Sequence, residues 1–204
     1  IVPAPYDGTS TWIKGADRGP DAIIEASAHL ELYDIETDSE VYRRGIATRP
    51  PLDGSGSPEE MADRVRAEIG RLLDAGRLPV MLGGEHSVTI GAVQAAAARA
   101  PGLSVLQLDA HTDLRPAFEG TPYNHACVMA RVREVAPFVQ VGIRSMDIEE
   151  KPFLPEGRVF FAERIQHGSA WMDAVLAALS DTVYITVDLD VFDPSLMPST
   201  GTPE

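Results

Sequence analysis

Three short apolar runs, "LPVML" (78–82), "LSVLQL" (103–108) and "DTVYITV" (181–187), each give way to carboxylate and imidazole residues. The first leads into "GGEHS" with His86. The second leads into "DAHTD" with Asp109, His111 and Asp113, and the third into "DLD" with Asp188 and Asp190. Such runs alternate along the chain with helical stretches, the order of an α/β domain whose sheet is mainly parallel. Ligands bind beyond the carboxyl ends of the strands in sheets of this class. Strand side chains two apart share a face, so extended backbone carried past the apolar run would project Asp109, His111 and Asp113 together, and likewise Asp188 and Asp190.

Charged groups are costly to bury unless they are paired or bind a metal. Four Asp and two His at one rim therefore call for a cation. The donors are oxygen and nitrogen without thiolate, which suits an ion such as Mn²⁺ better than a Cys-rich structural zinc site. Four carboxylates balance two divalent cations, and such a pair can lower the pKa of a bridging water and aim the hydroxide at a substrate carbon, a hydrolase design. Taken singly, Asp188 or Asp190 reads as a strand-end turn residue and His86 as a partner for a loop carbonyl. Three strand ends that all carry ligand-type residues favour the shared site. The Gly-Gly pair before the helix at 88 belongs to neither G-x-G-x-x-G nor a G-K-[ST] loop, which argues against phosphate binding.

The intervening elements follow from local chemistry. "GPDAIIEASAHLELYD" (19–34) reads as a helix with Pro20 in its first turn. "RPPLDGSGS" (49–57) is loop, ending in a helix start with Ser57 as N-cap, Pro58 at N1 and Glu60 closing a capping box; Gly76 ends that helix. "VTIGAVQAAAARA" and "SAWMDAVLAAL" read as helices, "FVQVGIRS" and "RVFFAERI" as strands. With 204 residues and 44% hydrophobic composition, one globular domain is the default. A net charge of -14 argues against nucleic acid and anionic membranes as partners. Cys127 is the only cysteine, which excludes an intrachain disulfide and favours a reducing, cytoplasmic setting. No apolar run reaches the roughly 18 residues of a membrane span.

On these motifs the chain resembles the ureohydrolase family of arginases and agmatinases, and most closely its prokaryotic agmatinases. The matches are "RGPDAI" (18–23), "GGEHS" (83–87), "DAHTD" (109–113), "YNHACVM" (123–129) and "VDLDVFDPSLMPSTGTPE" (187–204), in family order over almost the whole chain. The resemblance implies a three-layer α/β/α sandwich, assembled as a homotrimer or homohexamer. It also implies two Mn²⁺ per chain, one held by His86, Asp109, Asp113 and Asp188, the other by His111, Asp109, Asp188 and Asp190, with Asp109 and Asp188 bridging. Asp113 would orient the attacking hydroxide and His125 would relay protons; without the resemblance, His125 reads as a surface loop residue. Residues 1–204 are expected to form a single ureohydrolase domain, incomplete at both ends, because the chain opens in "IVPAPYDGTS" and stops in turn chemistry. The family's guanidinium-holding carboxylate lies downstream of "GTPE".

The expected reaction cleaves the guanidino group of agmatine to urea and putrescine, a step of polyamine biosynthesis, by attack of a metal-bridging hydroxide. The segment "LRPAFEGTPYNHACVM" and Glu204 in "GTPE" resemble agmatinases, and the Asn that arginases carry after the metal motif has no counterpart here. Arg115 reads as an outward-facing solvated residue, and Glu119 as either a solvated residue or an anchor for a cationic tail. The alternatives are an arginase, guanidinobutyrase, guanidinopropionase or formiminoglutamase, or a non-catalytic metal-binding homologue. A two-metal phosphoesterase is disfavoured by the presence of only five His.

Overall fold

In a computed structural model, which describes residues 1–203, every paired strand runs parallel to its neighbour. Glu204, read above as an agmatinase-like feature, lies outside the described residues. The elements are β1 (Val2–Ala4), α1 (Gly19–Ser27), α2 (Pro58–Asp74), β2 (Met81–Gly83), α3 (Val88–Ala97), β3 (Ser104–Leu108), α4 (Val128–Val132), β4 (Phe138–Ile143), β5 (Val159–Phe161), α5 (Ala162–Ile165), α6 (Ala170–Ala178) and β6 (Val183–Val187). Four strands form one sheet in the order β5-β4-β3-β6, and β1 pairs with β2 in a second. A cleft of about 950 Å³ separates the two sheets and is lined by residues that include Val80, Leu82, His86, Ile185, Val187 and Asp188.

Period-2 alternation gives the larger sheet two apolar faces. Val105 and Phe138 pack with Ile90 and Val93 of α3 and with Val128, Met129 and Val132 of α4. Leu106, Leu108, Val139 and Val141 point the other way, toward Ile165, Trp171 and Val175 of α5 and α6. Helices on both faces make three layers, the expected α/β/α sandwich. A third cluster joins Val2, Ala4 and Tyr6 to Met61, Val65 and Ile69 of α2 and to Val88, Ala92 and Ala95 of α3.

The start of α2 follows the local chemistry of its sequence. Ser57 Oγ accepts from Glu60 N at 3.2 Å, while Ser57 N donates to the Glu60 carboxylate at 2.8 Å. Gly76 just beyond its end has φ +67°. Three elements are shorter than expected. The helix from Gly19 stops at Ser27, whose hydroxyl turns back onto Ile24 O at 2.6 Å; residues 28–38 are exposed. Of "LPVML" only Met81 and Leu82 are in β2, since β1 offers just three residues to pair. "RVFFAERI" divides into β5 and α5 at Ala162.

Gly91 marks the closest approach of α2 and α3. A Cβ there would lie 2.1 Å from Ala62 O and 3.0 Å from Arg66 N. Alanine is the better helix former by about 1 kcal/mol, but overpacking against rigid backbone costs about 1–3 kcal/mol or more. Gly91→Ala is therefore expected to lower the thermal midpoint, as a denaturation scan would show; a raised midpoint would mean that the helices separate at little cost.

Candidate metal centre

All four Asp and two His identified above stand at the carboxyl ends of β2, β3 and β6, but extended backbone is not what brings them together. β3 ends at Leu108 and β6 at Val187. Beyond each, an aspartate folds the chain back on itself: Asp109 Oδ1 accepts from His111 N at 2.7 Å, and Asp188 Oδ1 accepts from Asp190 N at 3.1 Å. These i to i+2 bonds are Asx turns, for which Asp is suited. Asp113 then takes the left-handed conformation at φ +50°, which Asp tolerates better than most residues. Its carbonyl accepts from Met129 N and Ala130 N at the start of α4. His86 sits in the tight loop after β2, where Gly84 is required: a Cβ on it would lie 1.9 Å from Tyr6 O. The Gly-Gly pair thus serves a close backbone approach.

Two donor groups result. His86, Asp109 and Asp188 place their ligand atoms within 4.8 Å of one another, as do Asp109, His111 and Asp190. Asp109 belongs to both. His86 Nδ1 lies 2.8 Å from Asp113 Oδ2, 3.1 Å from Asp109 Oδ2 and 3.7 Å from Asp188 Oδ2. His111 Nδ1 lies 2.9 Å from Asp190 Oδ2 and 3.7 Å from Asp109 Oδ1. The set combines carboxylate and imidazole donors without thiolate, with one carboxylate shared, so the residues present fit a pair of divalent cations.

The electrostatics point the same way. Burial, reinforced by the charge of Asp109, pushes Asp113 up to about 7 and Asp188 up to about 6. Burial opposes the charged form of His86 too, yet the carboxylates of Asp109 and Asp113 outweigh it and raise that imidazole well above its usual range. Asp109 and Asp190 raise His111 to about 10. Asp109 itself is buried, but its bonds to His111 and His86 hold it below the usual carboxylate range. Four carboxyl groups thus face two imidazoles at this rim.

Several groups that hold the donors in place were not singled out in the sequence. Gln107, on the same face of β3 as Val105, donates to Asp109 Oδ2 at 2.7 Å and to His111 O at 3.2 Å. Its register partner Gln140 on β4 donates to Gln107 Oε1 at 2.6 Å and to Thr112 O at 2.8 Å. Glu150, also buried, accepts from Thr112 Oγ1 and Leu114 N and so braces the turn at Asp113. Arg144 donates to the carbonyls of Asp190, Val191 and Thr202. His86 Nε2 is 3.0 Å from Thr186 Oγ1. The signal for the two glutamines was a lone amide inside each apolar strand, "VLQL" and "FVQV". Glu150 and Arg144 carry no comparable sequence signal, since a charged loop residue is ordinarily solvated.

The remaining candidates are placed as follows. His125 is half-buried in a turn opening α4, its Nδ1 3.2 Å from Thr9 Oγ1 and its ring edge-on to Phe118 at 6.4 Å. Arg115 is not simply solvated: it pairs with Asp147 at 3.0 Å and lies over the Phe118 ring. Glu119 is exposed in a turn at φ +47°. Because Gln107 fixes the carboxylate common to both donor groups, Gln107→Leu is expected to weaken divalent-metal binding roughly ten- to a hundredfold while the fold is kept. Competition with a chromophoric chelator would measure this, and unchanged affinity would remove Gln107 from the site.

Comparison with known proteins agrees with this geometry. The sequence profile of the arginase family matches residues 1–204. An N(1)-aminopropylagmatine ureohydrolase of Thermus thermophilus is 42% identical over all of this chain and 71% of its own length. An agmatinase of Pyrococcus horikoshii is 34% identical, with 72% of its length covered. The crystal structure of agmatine ureohydrolase of Thermoplasma volcanium superposes on the whole chain with a TM-score of 0.88 at 32% identity, covering 70% of that protein. With its strand-end carboxylates, its layered parallel sheet and a profile match from end to end, the chain belongs to the arginase family of ureohydrolases.

Proposed function

We propose that the chain is an agmatinase-type enzyme that hydrolyses the guanidino group of agmatine to urea and putrescine. His86, Asp109, Asp113 and Asp188 would hold one Mn²⁺, and His111, Asp109, Asp188 and Asp190 the other. The observation that carries this reading is Asp109, a buried carboxylate common to two groups of carboxylate and imidazole donors. When bound, the cations supply positive charge and bring the pKa of water at the site toward neutrality.

The protein's own residues do the rest. A guanidinium carbon is a poor electrophile because its charge is delocalised, and both protons of the attacking water must finish on the departing amine. Asp113, buried beside Asp109 and His86, is suited to orient that water and take its first proton. His125 is suited to deliver a proton to the leaving nitrogen: burial lowers its pKa, so it gives up the proton readily. Assembly as a homotrimer or homohexamer and a cytoplasmic setting go with this reading. Among the described residues no helix is long and apolar enough to cross a membrane.

A second substrate is favoured by one specific finding: the Thermus relative named for N(1)-aminopropylagmatine is 42% identical, against 34% for the Pyrococcus agmatinase. Both compounds present the same guanidino group and differ in the cationic tail. Urea release from agmatine, N(1)-aminopropylagmatine and arginine by Mn²⁺-loaded protein, with bound metal quantified in the same sample, separates the readings. Agmatine turnover is expected; turnover of the aminopropyl compound alone would move the assignment to it. Asp109→Ala is expected to lose metal and activity together. His125→Ala is expected to keep its metal and lose roughly 10²–10⁴ in kcat. An Asp109→Ala protein that retained two metals would overturn the site.

A further inference from the structure

Thr9 stands at the centre of a hydrogen-bond set that admits one consistent placement of protons. Its Oγ1 is 2.9 Å from Glu85 Oε1 and 3.2 Å from His125 Nδ1, and it accepts the backbone N–H of His125 at 2.9 Å. A threonine hydroxyl offers one proton and two lone pairs, whereas a carboxylate only accepts. The hydroxyl proton therefore goes to Glu85. One lone pair takes the His125 backbone N–H, and the other can be matched only by a protonated Nδ1.

We propose that Thr9, oriented by Glu85, is a positioning residue that locks His125 in its Nδ1–H form and leaves Nε2 as the nitrogen that exchanges protons with the site. The consequence for turnover rests on the hydrolase reading above; the tautomer itself does not.

The surroundings make the arrangement rigid. Glu85 is buried and also accepts from Thr9 N, Ser87 N and Ser87 Oγ, so its carboxylate cannot turn away. The loop that carries Thr9 is held by Asp7, which accepts from Gly15 N at 2.5 Å, Ala16 N at 3.2 Å and the hydroxyl of Ser10. On the other side, Asn124 Oδ1 accepts from Ala126 N and fixes the turn from which His125 projects. Burial disfavours the doubly protonated ring, against the opposing charge of Glu85. The neutral form, in which the tautomer matters, is thereby favoured. A neutral imidazole with Nδ1–H engaged can accept a proton only at Nε2, which defines a single entry and exit point.

The test reads the tautomer directly. Two-bond ¹H–¹⁵N spectra of the metal-free chain labelled with ¹⁵N-histidine resolve the five His, with His125 assigned by its loss in His125→Asn. A protonated Nδ1 and a bare Nε2 are expected in the wild type, a mixture or the reverse in Thr9→Val, and the wild-type pattern in Thr9→Ser. In Mn²⁺-loaded protein, Thr9→Val is expected to lower kcat roughly tenfold or more at unchanged KM and metal content, with Thr9→Ser restoring it. An Nε2–H tautomer in the wild type overturns the proposal, and that spectrum needs no variant to fold. So does a Thr9→Val protein with both spectrum and kcat unchanged. A chain that shows the Nδ1–H form but hydrolyses no guanidino compound would instead refute the hydrolase reading.

Discussion

Asp109 meets Asp113, Asp188 and Asp190 at a rim where two imidazoles face them, and the resulting excess of acidic groups is the constraint around which these strand ends are built. Desolvation and mutual repulsion raise Asp113 and Asp188, while Asp109 stays ionised because it collects Gln107, His111 and His86 as hydrogen-bond partners. A charge cluster of this kind costs stability unless cations complete it. The chain nonetheless holds it in place with buried amides, a buried glutamate and an arginine drawn from four further positions. Gln140 shows the cost: both its N–H bonds are used to orient Gln107 and the Thr112 carbonyl, and its own buried Oε1 has no partner among the described residues. An unpaired buried carbonyl of this type costs about 1–3 kcal/mol. Such an expense is reasonable where the position of Asp109 matters more than stability.

The convergence of these Asp and His side chains was legible in the sequence because ligand-type side chains at three strand ends have few bland explanations. How they converge was not. Alternation along a strand gave the correct pairing of Asp109 with His111 and of Asp188 with Asp190 for the wrong reason, since an Asx turn also brings residues i and i+2 to one side. The left-handed turn at Asp113 cannot be deduced from spacing, because it depends on Glu150 and on the first N–H groups of α4. The sandwich was equally readable from alternating strands and helices, and the capping box at Ser57 from four residues. The three-residue length of β2 depends on its pairing with β1 and has no signal in its own residues. Thr9 and Glu85 lay unnoticed for the same cause: a threonine in a loop and a glutamate in "GGEHS" acquire meaning only when chain segments 76 residues apart touch.

On the proposed reading the site divides into two halves built on different scaffolds. The donor half hangs from β3, from its edge neighbour β6 and from the loop after β2, and is braced from within the larger sheet by Gln107 and Gln140. The proton-carrying half belongs to loops, with Thr9 from the segment after β1 and His125 from the turn before α4. Loops accept sequence change more readily than paired strands do. On that reading, one donor frame would serve guanidino compounds with different tails; relatives of this chain carry the names of agmatine and of its aminopropyl derivative.

The two halves are nevertheless joined by a single peptide. Glu85 turns toward Thr9 and His125, while its neighbour His86 turns toward Asp109, Asp113 and Asp188. Gly84 allows the main chain to come close enough to β1 for both to happen at once, with Gly84 N and Glu85 N donating to Ala4 O and Tyr6 O. A shift of that peptide would move His86 and the Thr9–His125 pair in concert, so on the proposed reading the distance between donor and relay is set by the backbone and not by flexible side chains. Proton transfer to a leaving group depends on sub-ångström placement relative to the nucleophile. Mounting His86 and the carboxylate that anchors Thr9 on adjacent residues of one tightly packed turn is, on the proposed reading, a direct way to secure it.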